Sequence, residues 1–253
     1  MRKVLLIGIG AGDPEHVTMQ AVRALNEVDV FFVPDKGREK RDLVELRREI
    51  CDRYIESRSY RLVEVTDPER DRTASAYRSA VEDWRRRRAD IYERLIQDEL
   101  AEDGRGAFLV WGDPSLYDST LAIVDDILAR GSVDFEVEVI PGISSPQALA
   151  ARHGIGLTRV GRAVQVTTGR LLSEGFPEGV DDVVVMLDAD CTFTTIDEDG
   201  IDIHWGAYVG TEDEILVSGD LRAVMGEIVR IRSEARARKG WIMDTYLLRR
   251  SDR

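Results

Sequence analysis

The chain is 253 residues long, with 35 Lys and Arg against 48 Asp and Glu, a formal net charge of −13. That length accommodates one large domain or two ordinary ones, and 43% apolar residues suffice for a core, which excludes a disulfide-stapled miniprotein and a disordered chain. The acidic balance argues against general binding to nucleic acid or an anionic membrane, because both require local cations.

Val4-Leu5-Leu6-Ile7 reads as a buried strand running into the loop Gly8-Ile9-Gly10-Ala11-Gly12. Residues 18–28 predict a helix, with Met19, Val22 and Leu25 at helical spacing. Val30-Phe31-Phe32-Val33, stopped by Pro34-Asp35, predicts a second strand. Strand, helix and strand at this spacing form a βαβ unit, and hence a parallel sheet. Residues 36–105 form an unusual, very polar stretch. Leu43, Leu46, Ile50 and Tyr54 share one helical face, and Tyr77, Val81, Trp84, Ile91 and Leu95 mark another. Between them, residues 60–65 alternate like a strand. The run Arg85 to Arg88 is flanked by Glu82, Asp83, Asp90 and Glu93, so it reads as a solvated helix face rather than a nucleic-acid site.

Residues 107–111 predict another buried strand, broken by Gly112-Asp113-Pro114. A helix over 116–129 and a strand over 135–140, ended by Pro141-Gly142, follow. Beyond this point strands are expected at 164–167, 183–187 and 207–209, with little room for covering helices. An amphipathic helix around 221–229 and a closing strand within 241–248 complete the chain. The expected organisation is an N-terminal parallel α/β domain over 1–142, with a helical insertion at about 36–105, and a C-terminal mixed α/β domain over 143–253.

Cys51 and Cys191 lack any CxxC partnering and read as reduced thiols. His16, His153 and His204 stand far apart, so no metal site is expected. No apolar run approaches the roughly 20 residues of a membrane span. Met1-Arg2-Lys3 followed by an apolar run imitates a signal peptide, but the glycines and Asp13-Pro14 spoil the pattern, so a cytoplasmic location is expected.

Gly8-x-Gly10-x-Gly12-Asp13-Pro14 departs from a dinucleotide fingerprint. Asp13 stands where the third glycine belongs, and Pro14 removes an N–H that a phosphate would use. Asp35, ending the second strand, does imitate the ribose-binding acid of that fingerprint, so a nicotinamide-dependent oxidoreductase stays open as a reading from another class. No P-loop is present. Carboxylates in glycine-rich turns suit a cationic ligand, and S-adenosylmethionine (SAM) carries a sulfonium and an ammonium but no phosphate. Trp111-Gly112-Asp113-Pro114-Ser115-Leu116-Tyr117 and Pro141-Gly142-Ile143-Ser144-Ser145 also follow strands, where open α/β sheets gather ligands.

The GxGxGDP loop, the GDPSLY loop, PGISS and a mixed second half together resemble the tetrapyrrole (corrin/porphyrin) methylases from Val4 to Leu248. The polar insertion beginning at Lys36 and the stretch Trp111 to Thr120 are most similar to the deacetylating precorrin-6A synthase branch, in aerobic cobalamin synthesis. The resemblance implies two α/β domains with SAM in a cleft between them, commonly in a homodimer. It implies methylation of precorrin-5 at C1 with release of acetate, giving precorrin-6A and S-adenosylhomocysteine. A sibling methylase with another substrate and a non-catalytic ligand-binding relative remain alternatives.

Carried residue by residue, the resemblance places Ala11, Trp111, Gly112, Asp113, Leu116, Ser144, Ser145, Met186, Ala207 and Gly210 against SAM. The chain departs from many relatives at Asp118, where they have glycine after the Tyr of the GDP loop. Methyl transfer itself requires no strong protein base. Acetyl removal benefits from one, for which Asp35 is the first candidate, with Tyr117 as hydrogen-bond donor and His16 as a fallback. The substrate is itself a polyanion, and Lys36, Arg38, Lys40 and Arg41 form the basic stretch expected to receive its carboxylates.

Overall fold

A computed structural model describes residues 1–35, 41–56, 59–68, 77–197 and 199–251. It divides into two compact units, Met1–Gly10 with Pro14–Ile143, and Ala11–Asp13 with Ser144–Arg253.

The first unit is built on five parallel strands, β1 (Arg2–Gly8), β2 (Val30–Asp35), β3 (Arg61–Thr66), β4 (Arg105–Val110) and β5 (Phe135–Ile140), in the order β3-β2-β4-β1-β5. Strand residues alternate between the two faces; the central strands β2, β4 and β1 are covered on both, which is why they read as continuous apolar runs, whereas the edge strands β3 and β5 alternate. Leu5, Ile7 and Phe31 pack under α1 (Met19–Leu25) and α2 (Arg41–Tyr54). Val4, Leu6, Phe32 and Phe108 pack under α3 (Tyr77–Glu99) and α4 (Thr120–Arg130). Thr18 caps α1, its side chain accepting the N–H of Ala21 at 3.1 Å.

Two expectations change here. The segment 36–105 is less an insertion than two successive crossovers, because β3 joins the sheet as its edge beside β2. And α4 starts at Thr120 rather than near 116. Asp113 and Asp118 take the backbone N–H groups of Ser115 and Thr120, at 2.8 and 2.7 Å, and Tyr117 sits at φ 52°, so a turn replaces the first helical residues.

The second unit carries β6 (Val164–Thr168), β7 (Asp182–Met186), β8 (Ile201–Ala207), β9 (Ile215–Asp220) and β10 (Asp244–Arg250), in the order β6-β7-β10-β8-β9. Only β6 and β7 pair in parallel, so the sheet is mixed as expected. The strand expected at 207–209 in fact precedes those residues, ending at Ala207, and β9 was not expected at all. Helices α5 (Ser145–His153) and α7 (Leu221–Lys239) pack on this sheet, and α6 (Gly169–Leu172) is a single short turn. Among the described residues, no helix is long and apolar enough to cross a membrane.

Candidate functional site

In the first unit the carboxyl ends of β1, β4 and β5 converge through glycine. Gly10 and Gly112 form an isolated bridge, with Gly10 N–H donating to Gly112 O at 3.3 Å and Gly112 N–H to Gly10 O at 2.7 Å. A Cβ on Gly8 would lie 2.6 Å from Gly142 N, and one on Gly142 only 2.2 Å from Gly112 O. Three strand ends thus touch backbone to backbone, an approach that only glycine permits.

Asp113 holds this seam. Its Oδ2 accepts the N–H of Gly142 at 2.9 Å, while Oδ1 accepts the N–H of Ser115 at 2.8 Å and the Ser115 hydroxyl. Burial pushes its carboxyl up, but these hydrogen bonds outweigh burial and hold it below the ordinary 3.8. Trp111 is half-buried, and its indole N–H is buried without an acceptor among the described residues. Leu116 is half-buried in the same turn. Tyr117 is 44% exposed, and burial of its ring raises the phenol above its ordinary 10, so it stays a donor at neutral pH.

Asp35 ends β2 half-buried, and its carbonyl accepts the N–H of Asp67 at 2.9 Å. His16 closes the short 3₁₀ turn Pro14–His16 and packs against the first glycine loop, its Nδ1 buried without a partner among the described residues. Of the expected substrate cations, Lys36, Arg38 and Lys40 lie outside the described residues, and Arg41 is the first residue of α2.

The remaining expected cofactor residues belong to the second unit. Ala11 is buried beside Leu149, Val184, Val209 and Leu247. Ser144 is the N-cap of α5, and its N–H donates to Gln147 Oε1 at 2.9 Å; Ser145 follows as the first helical residue. Met186 ends β7 half-buried, and the next residue, Leu187, is 66% exposed at φ 55°. Ala207 ends β8 with no exposed surface, leaving its backbone as its point of contact, and Tyr208 after it has φ 48°. Gly210, at φ 82°, already spends its N–H on Glu214 Oε2 at 2.9 Å. Non-glycine residues at positive φ therefore follow β4, β7 and β8 in turn, a strain that persists only where surrounding packing enforces it.

Two groups escaped sequence reasoning. Behind the Met186 turn, buried Asp188 accepts from Tyr246 Oη at 2.7 Å, from Thr192 N–H at 2.7 Å and from Thr192 Oγ1 at 2.9 Å. Arg232 bridges the Asp188 carbonyl and Asp244. In the first unit, buried Arg88 ion-pairs with Asp67 at 2.8 Å, donates to Ser119 Oγ at 3.0 Å and to Tyr92 Oη, and stacks 4.7 Å from the Trp84 ring. Nearby, Arg47 donates to Leu109 O at 3.0 Å. A buried carboxylate or guanidinium carries no sequence signal until the fold brings its partners in.

Residues 3–224 match the family model for Tetrapyrrole (Corrin/Porphyrin) Methylases. The chain is 52% identical over 250 residues to a precorrin-6A synthase [deacetylating] of Sinorhizobium sp, covering 99% of this chain and 96% of that one. Its fold superposes on a cobalamin-synthesis-related protein (CobF) of Corynebacterium diphtheriae with a TM-score of 0.85 and 36% identity, over 100% of both chains. A uroporphyrin-III-C-methyltransferase of Thermus thermophilus shares the fold at a TM-score of 0.62 and 22% identity, over 98% of this chain and 92% of its own. With that match and that identity across nearly its whole length, the chain belongs to the tetrapyrrole (corrin/porphyrin) methylases.

Proposed function

We propose that the chain is a SAM-dependent C-methyltransferase that converts precorrin-5 to precorrin-6A, methylating C1 and releasing acetate. The observation that carries this reading is the 52% identity, over nearly the full length of both chains, to the deacetylating precorrin-6A synthase of Sinorhizobium.

The residues present suit SAM. The glycine seam brings backbone rather than side chains to the strand ends, Asp113 keeps a negative charge beside it, and the orphaned Trp111 N–H is a donor awaiting an acceptor. Trp111, Gly112, Asp113 and Leu116 from the first unit, with Ala11, Ser144, Ser145, Met186, Ala207 and Gly210 from the second, are assigned to hold it. Bound there, SAM supplies an electrophilic methyl group.

Deacetylation is the work of the protein's own side chains. Asp35 takes a proton from water as the water oxygen adds to the acetyl carbonyl, and Tyr117 donates a hydrogen bond to the oxyanion that develops. The bond from C1 to the acetyl carbon then breaks, its electron pair remaining on C1, and acetate leaves. Lys36, Arg38, Lys40 and Arg41 are assigned to the substrate's carboxylates. A homodimer acting in the cytoplasm completes the proposal on the strength of the family resemblance, and light scattering on the purified protein tests the assembly.

The deciding experiment incubates the protein with precorrin-5 and SAM, with mass spectrometry of the corrinoid and an enzymatic assay for acetate. The expected product has gained a methyl, lost the acetyl and appears with equimolar acetate. A methylated product without acetate would point to a sibling reaction. Calorimetric binding of NADH in place of SAM would overturn the class.

A further inference from the structure

The ladder between β2 and β4 is shorter than its neighbours. It joins Val30, Phe31 and Phe32 to Gly106, Ala107 and Phe108 and then stops. Beyond it, β2 continues to pair with β3 as far as Asp35 and Thr66, and β4 continues with β1 as far as Val110 and Gly8. The sheet therefore splays at its carboxyl edge, with Val33, Pro34 and Asp35 on one lip and Leu109 and Val110 on the other.

Arg47 reaches into this splay from α2. Its Nε donates to Leu109 O, on the far lip, at 3.0 Å, and its Nη1 donates to Leu43 O at 2.7 Å. Both acceptors are neutral carbonyls. Among the described residues no carboxylate contacts this guanidinium, although Asp118 is near enough to favour its charge and Arg88 near enough to oppose it. Burial is the largest influence and depresses the guanidinium below its ordinary value. Arg88 is the contrast. Equally rooted in a helix, it is 5% exposed but has Asp67 as its counter-charge and donates hydrogen bonds to Ser119 and Tyr92. A half-buried cation without a counter-charge is costly unless an anion completes it.

We propose that the splay between β2 and β4, floored by Arg47, is a binding subsite for one carboxylate of the macrocyclic substrate. It sits beside Asp35 at the strand end, so an acid side chain anchored on Arg47 adds binding energy that holds the macrocycle at that strand end. Arg88 and Asp67 act as the brace of this corner. The proposal rests on the precorrin-5 reading for the identity of the substrate, though not for the anion chemistry.

The test compares wild type with Arg47→Met and Arg47→Lys. With precorrin-5 and SAM, Arg47→Met is expected to raise KM for precorrin-5 by about 10- to 100-fold. The kcat should change little, and SAM affinity by calorimetry should be unaltered. Arg47→Lys should recover part of the loss. A purely structural arginine would instead lower SAM affinity and thermal stability together and leave KM for precorrin-5 alone, which overturns the subsite. Binding of uroporphyrin III, an octacarboxylate tetrapyrrole, followed by fluorescence, separates the two readings. Should wild type turn over no precorrin-5 yet bind uroporphyrin more tightly than Arg47→Met, the reaction assignment fails and the subsite stands. Equal binding by the two proteins, or none by either, sinks the subsite.

Discussion

The carboxylate of Asp113 accepts the backbone N–H of Gly142 at 2.9 Å, tying the loop after β4 to the loop after β5 across 29 positions of sequence. Asp113→Asn keeps the shape but sets an amide N–H₂ at one of the two oxygens where three donors now meet the carboxylate. Loss of one charge-assisted bond should destabilise by about 1–2 kcal/mol, or roughly 2–6 °C in Tm. SAM affinity should weaken about tenfold in calorimetry. Because the folded carboxyl lies below its ordinary 3.8, its stabilisation is complete above that value and disappears as pH falls through the lower, folded value. The wild type's acid limb should therefore shrink in the variant. An unchanged SAM affinity would dissociate this tie from the binding site.

Gly142→Ala tests the seam sterically. The new methyl would lie 2.2 Å from Gly112 O and 2.8 Å from Gly8 C, both backbone atoms that cannot rotate away. The loops must separate, at a cost of about 1–3 kcal/mol or more, and SAM binding should be lost. Gly131→Ala is the control. Its φ of 66° strains an alanine, but it has open space around it, so its Tm should fall modestly with SAM affinity intact. Equal SAM binding in both variants would remove the seam from the site.

Asp35→Asn should slow acetate release by about 100-fold or more, with SAM affinity retained. Tyr117→Phe should slow the same step by a comparable factor through loss of the oxyanion donor. Quenched-flow measurement of acetate in a single turnover separates this step from methylation. Acetate release at the wild-type rate in Asp35→Asn would return the base assignment to His16, the fallback.

Burial raises the phenols of Tyr246 and Tyr92 above 10, Tyr246 being pushed further by the neighbouring Asp188 charge. A raised folded value stabilises fully below the unfolded value of about 10 and is lost as pH climbs past it. Thermal melts should therefore be nearly flat through pH 9 and fall above pH 10. Tyr246→Phe removes the 2.7 Å bond to Asp188. It should lower Tm at neutral pH by roughly 2–6 °C while making the alkaline decline shallower. An alkaline limb unchanged by this substitution would assign it to other groups.

Much of the architecture is legible in the chain because apolar runs and glycine punctuation are local. Val4 to Ile7 and residues 135–140 are uninterrupted strands that end in glycine or proline, the first central in the parallel sheet and the second at its edge. The start of α4 was not legible, since it depends on Asp113 and Asp118 competing for particular N–H groups. Strand β8 did carry a signal, the alternation of buried Ile201, Ile203 and Trp205, obscured by the acidic residues before it. Strand β9 is a half-buried edge containing Gly219, whose pattern is too weak to stand out. At the site, the loops were readable as motifs. The commitment of Asp113 to Gly142, of Gly210 to Glu214 and of Arg47 to Leu109 depends on contacts between residues that only folding brings together.

The position of β10 governs how the second sheet comes into being. It lies between β7 and β8 and bonds to both, while β8 and β9 form a hairpin of their own. A ribosome therefore delivers four of the five strands before the one that joins them. Until then β6 with β7 and β8 with β9 are separate ribbons, each with a bare edge of unpaired amides and carbonyls. The second unit must condense late and all at once, and in that interval its exposed ribbon edges are where chaperones, or neighbouring nascent chains, would first take hold.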